Sequence, residues 1–256
     1  MKAGAGYIAV VFLFLLCSCQ KELKDDDSTG KSYTVHIVFQ PVVQGQPLIF
    51  NQPYTNAFGE DYTVTAFRFY ISALSLQNNH TVLPVTNEVK YRLADAAIGN
   101  TLSFTVSTDQ NTFNGLSFQL GVDSIDNVSG AQSGDLDPAK GMFWTWNSGY
   151  IMAKLEGASS FSTVPDGNFT YHIGGFSGEH KAIRSIVLPA PEGRQITLKD
   201  SRTTTVVIKA DISKWFNAVH ALSIADNAFV HSPGSLAGLY ADNYATMFSI
   251  ASITEE

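Results

Sequence analysis

The sequence predicts an all-β protein: an antiparallel β-sandwich or an open barrel, with one or two short helices near the C-terminus. Three observations carry that expectation. About ten short segments rich in Val, Ile, Thr, Tyr and Phe are separated by Gly, Pro, Asn and Asp turn signals. Only two stretches look helical, both after residue 210, so helices do not alternate with strands and a doubly wound sheet is disfavoured. The composition, 45% hydrophobic against 15% charged with 17 Phe and 10 Tyr, suits an extracytoplasmic β-protein with one sizeable core.

The first segment is a targeting signal, residues 1–18. Lys2 supplies the positive start, and residues 7–16 form an apolar and aromatic run too short for a comfortable membrane span. Leu16-Cys17-Ser18-Cys19 has the form of a bacterial lipobox, with cleavage before Cys19 and lipid on its thiol. Cys17 leaves with the signal, so the folded domain holds no cysteine for a disulfide or a thiolate metal site. Residues 19–31, with the acidic run Asp25-Asp26-Asp27, read as a solvated tether. They resemble the acidic export tag of Bacteroidetes surface lipoproteins, which implies an outer-membrane lipoprotein facing the periplasm or the cell surface. A net charge of −7 without a Lys/Arg run among aromatics argues against nucleic acid as a partner.

Residues 32–256 show no repeat and no linker, and are expected to form one domain. Residues 32–39 (SYTVHIVF) alternate, with Tyr33, Val35, Ile37 and Phe39 on one face. Residues 40–58, with three prolines, read as strand fragments and loops. Residues 62–69 form a strand that runs on through a bend to Leu76; a regular alternation puts Arg68 on the face of Tyr62, Val64, Ala66 and Tyr70. Asn78-Asn79-His80 is a hairpin turn before residues 82–85. Further strands are expected at 91–94, 101–106 and 115–122. Residues 123–140, polar and without apolar periodicity, read as a long loop of the kind that carries function. Strands follow at 151–155, 169–173, 183–188, 195–198 and 204–210. The helical stretches are 212–216, with Asp211 as a plausible N-cap, and 238–248.

Residues 141–157 (GMFWTWNSGYIMAKLEG) form the most distinctive stretch. Trp144 and Trp146 are two residues apart, which in a strand puts both indoles on one face. They read as a core ridge, as a stacking platform completed by Tyr150, or as an oxidisable pair near a metal. Enzyme motifs are absent: no nucleophile elbow, zinc-protease pair, phosphate loop or dinucleotide fingerprint occurs. The chain is therefore read as a binding protein and not itself an enzyme. Asp123, Asp126, Asp135 and Asp137 lack the order of a calcium loop and read as solvated carboxylates. Glu156 is expected to pair with Lys154 on the surface or to do nothing. Histidine is the remaining metal ligand of note, and without cysteine a blue-copper centre is excluded. His172 lies in a strand beside glycines and His231 in a Pro/Gly loop.

MFWTWNSGY followed by KLEG and then F-x-YHIGG resembles the MbnP family, periplasmic copper proteins of methanobactin systems and their lipoprotein relatives. FRFYISALSL (67–76), the block 121–150 and ADNYATMFSI (241–250) extend the resemblance, the last resembling the family's Bacteroidetes branch. The resemblance implies an all-β domain that binds copper. It also implies a dihaem oxidase partner of the MauG type that converts a tryptophan, here Trp144 or Trp146, to kynurenine. Copper-binding relatives carry histidines where this chain has Gln40-Pro41 and Gln132-Ser133, which leaves His172 as the first ligand candidate and His231 as the second. The rival reading is a surface glycan-binding module using Trp144, Trp146 and Tyr150.

Overall fold

Phe39 sits where two β-sheets meet. Its ring contacts those of Phe69, Phe104, Phe118 and Phe248 at centroid distances of 5.6, 6.4, 5.7 and 6.0 Å. In this computed structural model, residues 1, 30–86, 89–144 and 149–255 are described. Cys19, most of the signal and tether, and Trp146 lie outside the described residues. Lys31–Glu256 forms one compact unit.

Along the chain the strands are β1 (Tyr33–Val43), β2 (Gln46–Pro47), β3 (Tyr54–Thr55), β4 (Asp61–Asn78), β5 (Thr81–Pro84), β6 (Tyr91–Asp95), β7 (Ser103–Thr108), β8 (Thr112–Phe113), β9 (Gly115–Leu120), β10 (Phe143–Trp144), β11 (Gly149–Ala158), β12 (Asn168–Gly174), β13 (Arg184–Pro189), β14 (Ile196–Thr197), β15 (Thr203–Asp211), β16 (Phe229–Val230) and β17 (Phe248–Glu255). Among the described residues two α-helices, α1 (Ser124–Val128) and α2 (Ser235–Ala245), accompany them. The smaller main sheet runs β17-β15-β1-β2, with β7 also on β1. The larger runs β13-β9-β4-β11-β12-β16, with β3, β5, β6 and β10 attached. Among the described residues, pairing is antiparallel except for β1 on β15 and β12 on β16. The fold is thus mostly β, as the residue pattern predicts. β1 buries Tyr33, Val35, Ile37 and Phe39, the face its alternation marks. The turn after β4 places Asn79 and His80 at φ 46° and 73°, the pair of left-handed residues a two-residue hairpin needs.

Arg68 does not share a face with Tyr62 and Val64. Against β11, Glu156 pairs with Ala66 and Gly157 with Val64, so Thr65 is an extra residue in β4. This β-bulge reverses the inward set, from Tyr62 and Val64 before it to Phe67 and Phe69 after it. Arg68 therefore points away from the core. Gly157 allows the bulge: a Cβ there would lie 1.8 Å from the Thr63 carbonyl oxygen, so only glycine admits so close an approach.

Residues 123–140 are more structured than a loop. Asp123 caps α1 by accepting from Asp126 N at 3.0 Å, and Asp137 caps a 3-10 turn by accepting from Ala139 N at 2.9 Å. Asp126 accepts from the Tyr91 hydroxyl at 2.5 Å and Asp135 from Leu93 N at 3.0 Å. Each of the four carboxylates is thus committed to local structure. The turn at 212–215 forms on Asp211, as expected. The second helix starts at Ser235 and stops at Ala245, where Thr246 N and Met247 N bond back to Asn243 O and Tyr244 O at 3.0 and 3.1 Å. Phe248 belongs instead to β17, because its ring completes the aromatic core.

Candidate functional site

In β12 the residues alternate between two environments. Phe169, Tyr171 and Ile173 are fully buried towards an aromatic layer, where Tyr171 meets Tyr240 of α2 at 4.6 Å. Thr170, His172 and Gly174 share the opposite face. The pairing of β11 with β12 sets Lys154 beside His172 and Glu156 beside Thr170. Parallel pairing sets Phe229 beside Thr170 and Val230 beside Tyr171, which carries His231 up to His172. The two imidazoles stack with centroids 3.8 Å apart and planes inclined by 11°. Phe229 stacks on the other face of His231 at 4.0 Å. The structure therefore brings together the two histidines that the sequence singles out.

Glu156 is the hub of this cluster. Its Oε1 lies 2.5 Å from His172 Nε2 and 3.5 Å from Lys154 Nζ. The hydrogen bond from His172, with the Lys154 charge, holds the Glu156 carboxyl far below the usual carboxylate range, at about 2. Lys154 is buried, and that burial lowers its pKa despite Glu156. Its ammonium also donates to Gly141 O at 2.7 Å. Next to it, Arg68 pairs Nε with Asp95 Oδ2 at 2.7 Å and donates from Nη1 to Lys140 O at 3.1 Å. A row of charged and imidazole groups thus crosses the outer face of the sheet, from Asp95 through Arg68 and Lys154 to His172 and His231. Burial, and secondarily His172, pushes the His231 pKa down to about 4, so its ring is neutral at physiological pH. His231 Nε2 is buried without a hydrogen-bond partner. A cleft of about 670 Å³ along residues 229–237 opens beside this ring.

The tryptophan stretch enters and leaves this face under tight restraint. Lys140 and Gly141 are held by Arg68 and Lys154, Met142 O accepts from Ile151 N at 2.9 Å, and Tyr150 N donates to Asn127 Oδ1 at 2.8 Å. Trp144 pairs with Gly149 and is 5% exposed. Its indole lies over Gly174, two residues beyond His172 on the same face, where a Cβ would meet Trp144 Cζ3 at 2.5 Å. Tyr150 is 1% exposed, and its hydroxyl donates to Leu136 O at 2.9 Å. Trp144 and Tyr150 are thus buried and offer little ring surface to a sugar; Trp146, the third aromatic of the expected glycan platform, lies outside the described residues.

Three residues of the cluster read incompletely from sequence. Glu156 pairs with Lys154 at 3.5 Å as expected but also bonds His172, Lys154 is buried, and Gly174 is the seat of an indole. The available signal was the alternation of K-L-E and Y-H-I-G, which puts Lys154 with Glu156 and His172 with Gly174 on single faces. The register joining them was invisible. Among the described residues, no group of three or more His, Cys, Asp or Glu is arranged to hold a metal.

No curated protein matches the chain. A solved structure, MbnP from Methylosinus trichosporium, matches with a TM-score of 0.52 at 17% identity, over 80% of this chain and 83% of that one, and so shares the fold. The MbnP family model matches residues 32–233, a span that includes the tryptophan stretch and both stacked histidines. On that match, the chain belongs to the MbnP family.

Proposed function

We propose that this protein is a lipid-anchored, extracytoplasmic copper-binding protein in which His172 and His231 hold the metal. The observation that carries the proposal is the contact of the two imidazoles, with a buried His231 Nε2 that has no protein partner. Buried polar nitrogens rarely stay unsatisfied without a reason. A neutral imidazole is a borderline-soft donor well suited to copper. The donor chemistry fits the metal, and the ring geometry adds a condition. With the rings stacked 3.8 Å apart, holding a metal through both would require one ring to turn about its side-chain bonds. Copper would supply one-electron redox chemistry at this face. The chain's own residues orient the rings, keep His231 unprotonated and exclude water behind the sheet.

The family resemblance supports a dihaem MauG-like oxidase as partner and Trp144 or Trp146 as the tryptophan it oxidises. Lys140 and Lys154 bracket both, so trypsin releases residues 141–154 as one peptide. The test uses protein from the native host. Competition for Cu(I) with a chromophoric chelator is expected to give at least a tenfold loss of affinity in His172→Ala and in His231→Ala, since losing even a partner behind a ligand costs about 10–100-fold. Unchanged affinity in the double variant removes the pair from the site. Mass spectrometry of the tryptic peptide reads kynurenine directly, and intact tryptophan at both positions sinks the oxidase partnership.

A further inference from the structure

Glu156 faces His172 through one ring nitrogen only. Its Oε1 is 2.5 Å from Nε2, and the same oxygen lies 3.5 Å from Lys154 Nζ. Lys154 is itself tied down by Gly141 O, so the carboxylate cannot swing away without unpairing a buried ammonium. An ionised carboxylate accepts hydrogen bonds and donates none. The proton in the short contact therefore belongs to Nε2, and whenever the ring carries a single proton its lone pair lies on Nδ1. We propose that Glu156 is a positioning residue that fixes His172 as the Nε2–H tautomer and leaves Nδ1 as the only nitrogen this ring can offer a metal. The inference rests on the copper reading for its purpose, but the tautomer is a property of the metal-free protein.

This arrangement has a physical logic. A ligating histidine works best when its second nitrogen is held by a carboxylate, which orients the ring and raises the basicity of the donor. Here the holder is also part of the row that grips the tryptophan stretch, since the ammonium that steadies Glu156 also binds the Gly141 carbonyl. One buried lysine thus touches both the acid that holds the ring and the start of the segment beside it.

The test is long-range proton–nitrogen NMR on uniformly 15N-labelled, metal-free protein, over a pH series that carries the imidazole into its neutral form, with His172 assigned by comparison with His172→Gln. The expected wild-type pattern is a single Nε2–H tautomer. The doubly apolar variant K154M/E156L removes the acid and its cation together, which spares the fold an unpaired buried charge; its thermal unfolding confirms that it folds. It is expected to lose the single tautomer and to bind Cu(I) about 10–100-fold more weakly, the usual cost of losing such a partner. K154M alone keeps the acid and is expected to keep the tautomer. A wild-type Nδ1–H pattern overturns the proposal, as does a folded K154M/E156L with the wild-type tautomer. If wild type shows Nε2–H yet binds no copper, the copper reading fails while the assignment of Glu156 to the ring stands.

Discussion

Substituting Gly174 by alanine tests the seat of Trp144 with the addition of a single methyl group. The new Cβ would lie 2.5 Å from Cζ3 and 2.7 Å from Cη2 of the indole, and 2.9 Å from the Tyr150 carbonyl oxygen. All three separations are well inside van der Waals contact, and the third atom is backbone that cannot turn away. Two of the three atoms belong to a rigid ring that is 5% exposed, so relief requires moving the whole indole. Overpacking of this kind costs about 1–3 kcal/mol, and about 2 kcal/mol lowers Tm by roughly 4–8 °C in a domain of this size. The assay is thermal unfolding followed by circular dichroism and tryptophan emission. Gly99→Ala serves as control, because a Cβ there meets nothing within 4 Å. Trp144→Phe removes the clashing ring atoms, so the double variant G174A/W144F should recover part of the loss, with a coupling of about 0.5–3 kcal/mol typical of residues in contact. A Gly174→Ala protein that melts with wild type and emits like it would falsify the seating of the indole on β12.

Two further outcomes follow from other buried groups. Glu60, 3% exposed, accepts from Ile224 N at 2.7 Å, Ala225 N at 2.9 Å and Asn56 Nδ2 at 2.6 Å; Glu60→Ala strands these donors and should lower the urea-unfolding free energy by roughly 2–4 kcal/mol, and a change under about 0.5 kcal/mol, the ordinary surface range, counts against the clamp. His231 has a folded pKa of about 4 against an ordinary value of 6.5, so between those values the unfolded chain binds more protons and stability falls as pH drops. The urea midpoint should therefore decline from pH 6.5 towards 4, and less so in His231→Gln; equal declines in the two proteins would show that the ring is not held neutral by the fold.

The parts of the fold that read directly from sequence are those where local pattern and tertiary demand agree. β1 shows its buried face in plain alternation, and Asn79-His80 marks a hairpin because both residues tolerate positive φ. The bulge at Thr65 does not read, because it is made by Gly157 approaching from a distant strand; an observer of β4 alone sees Arg68 on an apolar face. α1 escapes because five residues have no helical period, and its order comes from Asp123 and from Asn127, whose amide donates to Val122 O at 2.7 Å. The site divides the same way. His172 and His231 were each visible as candidates, but their contact depends on the parallel register of β16, which joins two residues to β12 and leaves no trace in either segment. Glu156 was visible only as the neighbour of Lys154, since its bond to His172 crosses strands.

The parallel pairing of β1 with β15 has a consequence for the order in which the molecule takes shape. Thr34 lies opposite Thr203, and Val42 opposite Asp211. A chain made from its N-terminus thus begins with a strand whose neighbour arrives only when most of the polypeptide is complete. Until then that edge of β1 has no strand hydrogen-bonded to it. Contacts so distant in sequence are slow to form, because a large loop must close before any of them is gained. The nascent chain thus carries an unpaired strand edge until its last fifty or so residues have emerged, and an edge of that kind invites pairing with other chains.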